Sequence, residues 1–246
     1  MNSWGGVVVF TLLIGAFTLL ALRILIDAAR SRSVAEIFVG VFFLALSAEV
    51  LVYQVANEPG VGHGVCAAVS SAAMLCFIRV VFRPVERWAF VVSVALGLGI
   101  AAVFVVPQVM GLATPETRLA GSALRASALL WASIECALQY RLMRRRVRLD
   151  LADPVVADRF LLWAIWTGGA AMLPISGLVI RLLAQLGMAE DITLVRDSSP
   201  STAIYGIFIA CVLAASAVSL WLSFFPSLGY QKWVVSRMVS DSSPHV

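Results

Sequence analysis

Five charged side chains interrupt long apolar stretches of this sequence and are the residues best placed to do chemistry: Glu49, Arg79, Arg125, Glu135 and Arg181. A bare charge in hydrocarbon costs ~2.5–3.5 kcal/mol or more, so each is expected to hold a partner. Helical rise sets which of them can meet. Glu49 lies roughly 20 Å of helix beyond Glu36, and Arg125 is about 10 Å into its own segment from the opposite direction. Both then sit at the same depth, about 10 Å below one face of a bilayer, and a Glu49–Arg125 pair is expected. Arg181 can reach the same carboxylate because its long stem lets the charged head shift by several Å. Arg79 and Glu135 match at a greater depth, roughly 26 Å from that face, and form a candidate inner pair. Two readings stand for these residues. They are interhelical clasps that satisfy each other, or the outer three line a polar cavity in which a small anionic or zwitterionic ligand, or a proton, competes for the arginine.

Other chemistries lack their residues. His63, between Gly62 and Gly64, is the only histidine outside the terminal tail, and one imidazole does not make a zinc or haem site. The cysteines Cys66, Cys76, Cys136 and Cys211 form no C-x-x-C pair, and they read as small buried apolar residues. No Ser-His-Asp set, glycine-rich phosphate loop or H-E-x-x-H motif is present. An enzyme, a metal and a cofactor are therefore not expected.

The elements that position these charges follow from composition. Of 246 residues, 61% are hydrophobic and 13% charged, with a mean hydropathy of +0.95, whereas soluble domains carry about a quarter charged residues. Lipid must be the main solvent. A bilayer core of ~30 Å takes about 20 apolar residues per helix. The apolar runs separate into segments at about 4–26, 35–56, 62–83, 87–110, 118–143, 160–186 and 201–225. They are continuous and roughly twice as long as the ~10-residue alternating strands of a membrane barrel. The expected fold is an all-α integral membrane protein: a seven-transmembrane-helix bundle over residues 1–226, followed by a short cytoplasmic or interfacial tail over 227–246. The first residues carry no positive charge ahead of the apolar run, so a cleaved signal peptide is not expected.

Orientation follows from the cations. Of 18 Lys and Arg residues, all but Arg118, Arg125, Arg181 and Arg196 lie beside one set of alternate turns. Positive residues are retained in the cytoplasm, which puts the N-terminus outside and the C-terminus inside. The connection from Met143 to Arg159 carries the densest group, Arg144, Arg145, Arg146 and Arg148. It reads as a retention signal in contact with headgroups, or as a docking surface for a cytoplasmic protein partner. Nucleic acid is not expected, because the arginines flank apolar spans rather than forming an exposed basic face. The tail, with Tyr230, Trp233, Lys232 and Arg237, suits a short interfacial helix. Lys232 is the only lysine; such arginine bias suggests a GC-rich bacterial genome and an inner membrane.

The sixth segment holds Gly168, Gly169 and Pro174. Proline removes a helical hydrogen bond and clashes with the preceding turn, so a kink is expected there, either purely structural or serving as a gating hinge. The third and seventh segments are rich in alanine and serine, which lets helices approach closely in lipid.

The first-to-second and fifth-to-sixth connections also correspond. Each joins an apolar helix to an arginine-bearing turn and then an acid, Glu36 or Asp158, at the next helix start. This suggests three helices, a linker and three more in the same orientation, a parallel 3+1+3 repeat; the alternative is that any odd-numbered bundle repeats its arginine turns. In that layout the chain resembles, by topology alone, the seven-helix SWEET and PQ-loop transporters, and more loosely the microbial opsins. Its Pro107-Gln108 pair lies in the linker segment rather than in a repeated triplet. Its lone lysine lies beyond the seventh segment, where it would not serve a retinal Schiff base.

The expected function is a seven-helix membrane sensor or receptor-like protein, with an outward-facing polar cavity for a small molecule and a basic cytoplasmic connection. The alternatives are a small-solute transporter of 3+1+3 architecture and an accessory or structural subunit of a membrane complex.

Overall fold

Apolar runs of this length, with good helix formers at the charged positions between them, give helices and nothing else. A computed structural model describes residues 4–56, 60–185 and 200–240. Some side chains inside helices, Arg181 among them, lie outside the described residues. The described residues form nine helices and no strand: α1 (Trp4–Ser31), α2 (Val34–Ala56), α3 (Val61–Phe82), α4 (Arg87–Phe104), α5 (Val106–Val109), α6 (Pro115–Val147), α7 (Pro154–Gln185), α8 (Pro200–Phe224) and α9 (Leu228–Ser240). Among the described residues, four stretches are long and apolar enough to cross a bilayer: Val34–Val52, Val61–Phe82, Arg87–Val109 and Pro154–Ile180. α6 is not among them; Arg125, Glu135 and the arginines of its last turns offset its apolar residues.

Much of the outward surface is hydrocarbon. Leu19 is 70% exposed, Phe90 56%, Leu98 67% and Trp221 65%. In water such patches are a liability; against acyl chains they are not, which fits a membrane helical protein. Several hydroxyls inside the helices are satisfied locally. Ser47, Ser71 and Thr167 each donate to the carbonyl one turn back, at 2.8, 2.8 and 2.7 Å, the usual way for a hydroxyl to survive without water.

The chain divides into two compact units, Met1–Ala128 and Leu129–Val246, and the division falls inside α6. In the first unit α2 packs against α1 and α3, and α3 against α4. The α1–α2 turn is tight. Arg32 takes a left-handed backbone (φ 54), the Glu36 N–H donates to Ser33 Oγ at 3.4 Å, and Ser31 Oγ donates to Glu36 Oε2 at 2.9 Å. Phe43 is fully buried and stacks on Phe17 with centroids 5.7 Å apart. Between α3 and α4, Arg83 Nη1 donates to Glu86 Oε1 at 2.7 Å, and this bond holds the Glu86 carboxyl below its ordinary value.

The fourth apolar segment is not one continuous helix. α4 stops at Phe104 and α5 begins at Val106, with Pro107 in its first turn. Proline lacks the N–H that would continue the α4 ladder. α6 starts on a reciprocal cap: the Thr117 N–H donates to Thr114 Oγ1 at 3.4 Å, and the Thr114 N–H to Thr117 Oγ1 at 3.1 Å.

In the second unit the helices run further than the hydrophobic runs. α6 ends at Val147 and α7 begins at Pro154, so the broad connection expected over 143–159 shrinks to Arg148–Asp153. Arg144, Arg145 and Arg146 are the last turn of α6 rather than a loop. Arginine is a good helix former and is favoured at the negative end of the helix dipole. Asp150 is left-handed (φ 54), and Asp153 Oδ1 caps α7 by accepting the Val155 N–H at 2.8 Å.

Candidate functional site

The polar residues that meet inside the apolar part of the first unit come from α2, α3 and the start of α6. Glu49 lies in the second half of α2, one to two turns short of its end, and its side chain is 9% exposed. Arg125 reaches it from α6 with both guanidinium nitrogens: Nη1 donates to Oε1 at 2.5 Å and Nη2 to Oε2 at 2.8 Å. This fork-to-fork geometry is the strongest form of carboxylate recognition available to a side chain. Arg125 Nη2 also lies 3.4 Å from Ser70 Oγ on α3, and Ser70 Oγ in turn donates to the Ala67 carbonyl at 3.1 Å.

A fourth member was not expected. His63, in the first turn of α3, places Nε2 3.6 Å from Glu49 Oε1. Two cationic or proton-bearing groups therefore converge on one carboxylate. The neighbouring Gly64 explains how α3 comes so close to the end of α4: a methyl group there would overlap the carbonyl oxygen of Phe104.

The inner pair has a different setting. Arg79 and Glu135 belong to different units, and each has a local partner. Arg79 Nη1 donates to the Arg83 carbonyl, closing the end of α3, and Glu135 Oε1 accepts from Trp131 Nε1 at 3.1 Å. Arg181's side chain, the third expected member of the outer cluster, lies outside the described residues.

The glycines expected as a hinge occupy contact positions. A Cβ on Gly168 would lie 3.0 Å from Ser133 Oγ on α6, and one on Gly169 would lie 2.6 Å from Ser216 Oγ on α8. Ser133 Oγ donates to the Ala164 carbonyl of α7 at 2.9 Å, so this is where α6 and α7 join. Pro174 lies one turn further along inside α7.

A second polar arrangement stands at the other end of α7. Asp158, 4% exposed, accepts a hydrogen bond from the Tyr230 hydroxyl of α9. Burial, and then this bond, push the Tyr230 phenol well above its ordinary value. Among the described residues no group of His, Cys, Asp and Glu could hold a metal ion. The chain matches no protein-family model, no curated protein and no solved structure.

Proposed function

We propose that this chain is a seven-span membrane sensor, with its N-terminus outside a bacterial inner membrane, in which Glu49, Arg125, His63 and Ser70 form the responsive site. The observation that carries this is the two-toothed Glu49–Arg125 bridge with an imidazole beside the same carboxylate. A purely structural clasp needs only the two charges. A third titratable group on one carboxylate makes the bridge divisible, because a proton or a small anionic or zwitterionic molecule can take either half. α6 supplies the route inward. One helix, Pro115 to Val147, carries both Arg125 and the arginines of its last turn. A separate cytoplasmic protein partner would read the change.

The transporter reading has one observation in its favour. Among the described non-glycine residues only Arg32 and Asp150 have positive φ, both 54°, and they occupy corresponding turns of the proposed 3+1+3 repeat.

The test is a thermal-shift screen of small carboxylates, amino acids and inorganic anions against the purified chain. At least one such class should stabilise the wild type, and the shift should vanish in Glu49→Gln and Arg125→Gln. Equal shifts in all three proteins, or none in the wild type across the screen, would remove the sensor reading.

A further inference from the structure

The end of α6, the start of α7 and α9 form one small folded base in the second unit. Val234 and Ala157 are buried together at 1% and 0% exposure, with Tyr140, Met143, Val147 and Tyr230 packed against them, and the Tyr230–Asp158 bond pins α9 to α7. The base presents cations: Arg145, Arg146, Arg148, Arg159, Lys232 and Arg237 are all exposed. Its acids are largely engaged, Asp158 by Tyr230 and Asp153 by the Val155 N–H.

Large apolar side chains stand among these cations. Leu149 is 67% exposed, Leu151 72%, Leu228 76% and Trp233 50%. The two leucines flank the left-handed Asp150, whose turn is closed by Asp150 N–H to Val147 O at 3.0 Å and Leu151 N–H to Arg146 O at 2.9 Å. Their outward placement is thus a property of a hydrogen-bonded turn. The apolar stretch of α7 begins immediately afterwards, at Pro154, so the base stands where a span leaves the hydrocarbon.

Exposed cations interleaved with exposed leucines and an indole match a single environment, the boundary between phosphate headgroups and acyl chains. We propose that this base is a platform for anionic phospholipids. The arginines and Lys232 take the phosphates, and Leu149, Leu151, Leu228 and Trp233 enter the acyl boundary. An acidic protein would satisfy the cations but would leave the apolar groups without a hydrocarbon phase. The proposal rests on the spanning reading and not on the Glu49 cluster, so either can fail without the other.

The experiment is native mass spectrometry of the full chain released from micelles holding equal phosphatidylglycerol and phosphatidylcholine with identical acyl chains. The wild type should retain phosphatidylglycerol in preference. That preference should fall roughly fivefold per cation removed, hence on the order of a hundredfold in the triple variant R145Q/R146Q/R148Q, and should persist in the triple Arg→Lys variant. A photo-crosslinking residue at Leu151 in otherwise wild-type protein should give a lipid adduct in cells. Equal retention of both lipids, a preference unchanged by the three glutamines, or a protein adduct at Leu151 would each overturn the proposal.

Discussion

Removing Arg125 alone should cost this protein more than removing Arg125 and Glu49 together is worth. Their side chains are 18% and 9% exposed and share two hydrogen bonds of 2.5 and 2.8 Å. Breaking a buried pair from one side strands a charge, at a cost of about 3–5 kcal/mol. His63 at 3.6 Å remains beside Glu49, so Arg125→Met belongs near the lower end, about 3 kcal/mol. In the double variant Arg125→Met/Glu49→Gln no charge is stranded, and the loss should shrink to about 1 kcal/mol, the scale of ordinary lost hydrogen bonds. The coupling is therefore at least about 2 kcal/mol, the Arg125→Met loss less that of the double variant, and whatever Glu49→Gln alone costs adds to it. Reversible unfolding in mixed detergent micelles, followed by helical circular dichroism, reads all four proteins. If the two single losses simply add in the double variant, the bridge does not hold these helices together and the reasoning from its geometry is wrong.

Three further outcomes are expected. In a chain cleared of native cysteines, Leu151→Cys should react with a membrane-impermeant maleimide only after the cell is opened; reaction in intact cells would reverse the orientation. Gly64→Ala should destabilise by about 1–3 kcal/mol, the cost of overpacking, because the added methyl meets backbone at Phe104. Gly177→Ala, with nothing within 4 Å, should not, and equal melting of the two variants would discount the close approach. The Tyr230 phenol must be neutral to donate to Asp158, and its pKa is raised. Its contribution to docking α9 is therefore complete below the ordinary phenol value of about 10 and is lost as pH climbs through the raised one. A dye at Ser236→Cys should report that alkaline release, and Tyr230→Phe should abolish the transition.

What could be read from the sequence was set by one coordinate, distance along a helix. Glu49 and Arg125 can be matched because each is far from its own helix end and the two distances agree. His63 escapes this arithmetic. It lies in the first turn of α3, nearer its own helix end than Glu49 is, and reaches it only through the rotation of α3, which hydropathy does not encode. Ser70 is hidden for the same reason, one serine among several in an alanine-rich helix.

That the apolar runs form helices was legible, and where those helices end was not. Hydropathy stops where hydrocarbon stops, but hydrogen bonding carries α1 on through Asp27 and Arg30 to Ser31 and α6 on through its arginines. Residues 87–110 read as one apolar segment although Pro107 lacks the N–H that a helix interior uses, and α4 and α5 part just before it. The paired glycines of α7 show the converse ambiguity. Gly168 and Gly169 offer both pliancy and close contact, and only their neighbours Ser133 and Ser216 reveal the second use.

The unbroken course of α6 also restricts how this protein can change over generations. Each residue gained or lost within a helix turns everything beyond it by about 100°, so a one-residue indel between Gly121, which meets Phe104, and Arg125, which meets Glu49, would take the two contacts out of phase, whereas the short turns at Arg32 and Asp150 can absorb such a change locally. Related chains should therefore vary in length at those turns and keep a constant count along this stretch of α6.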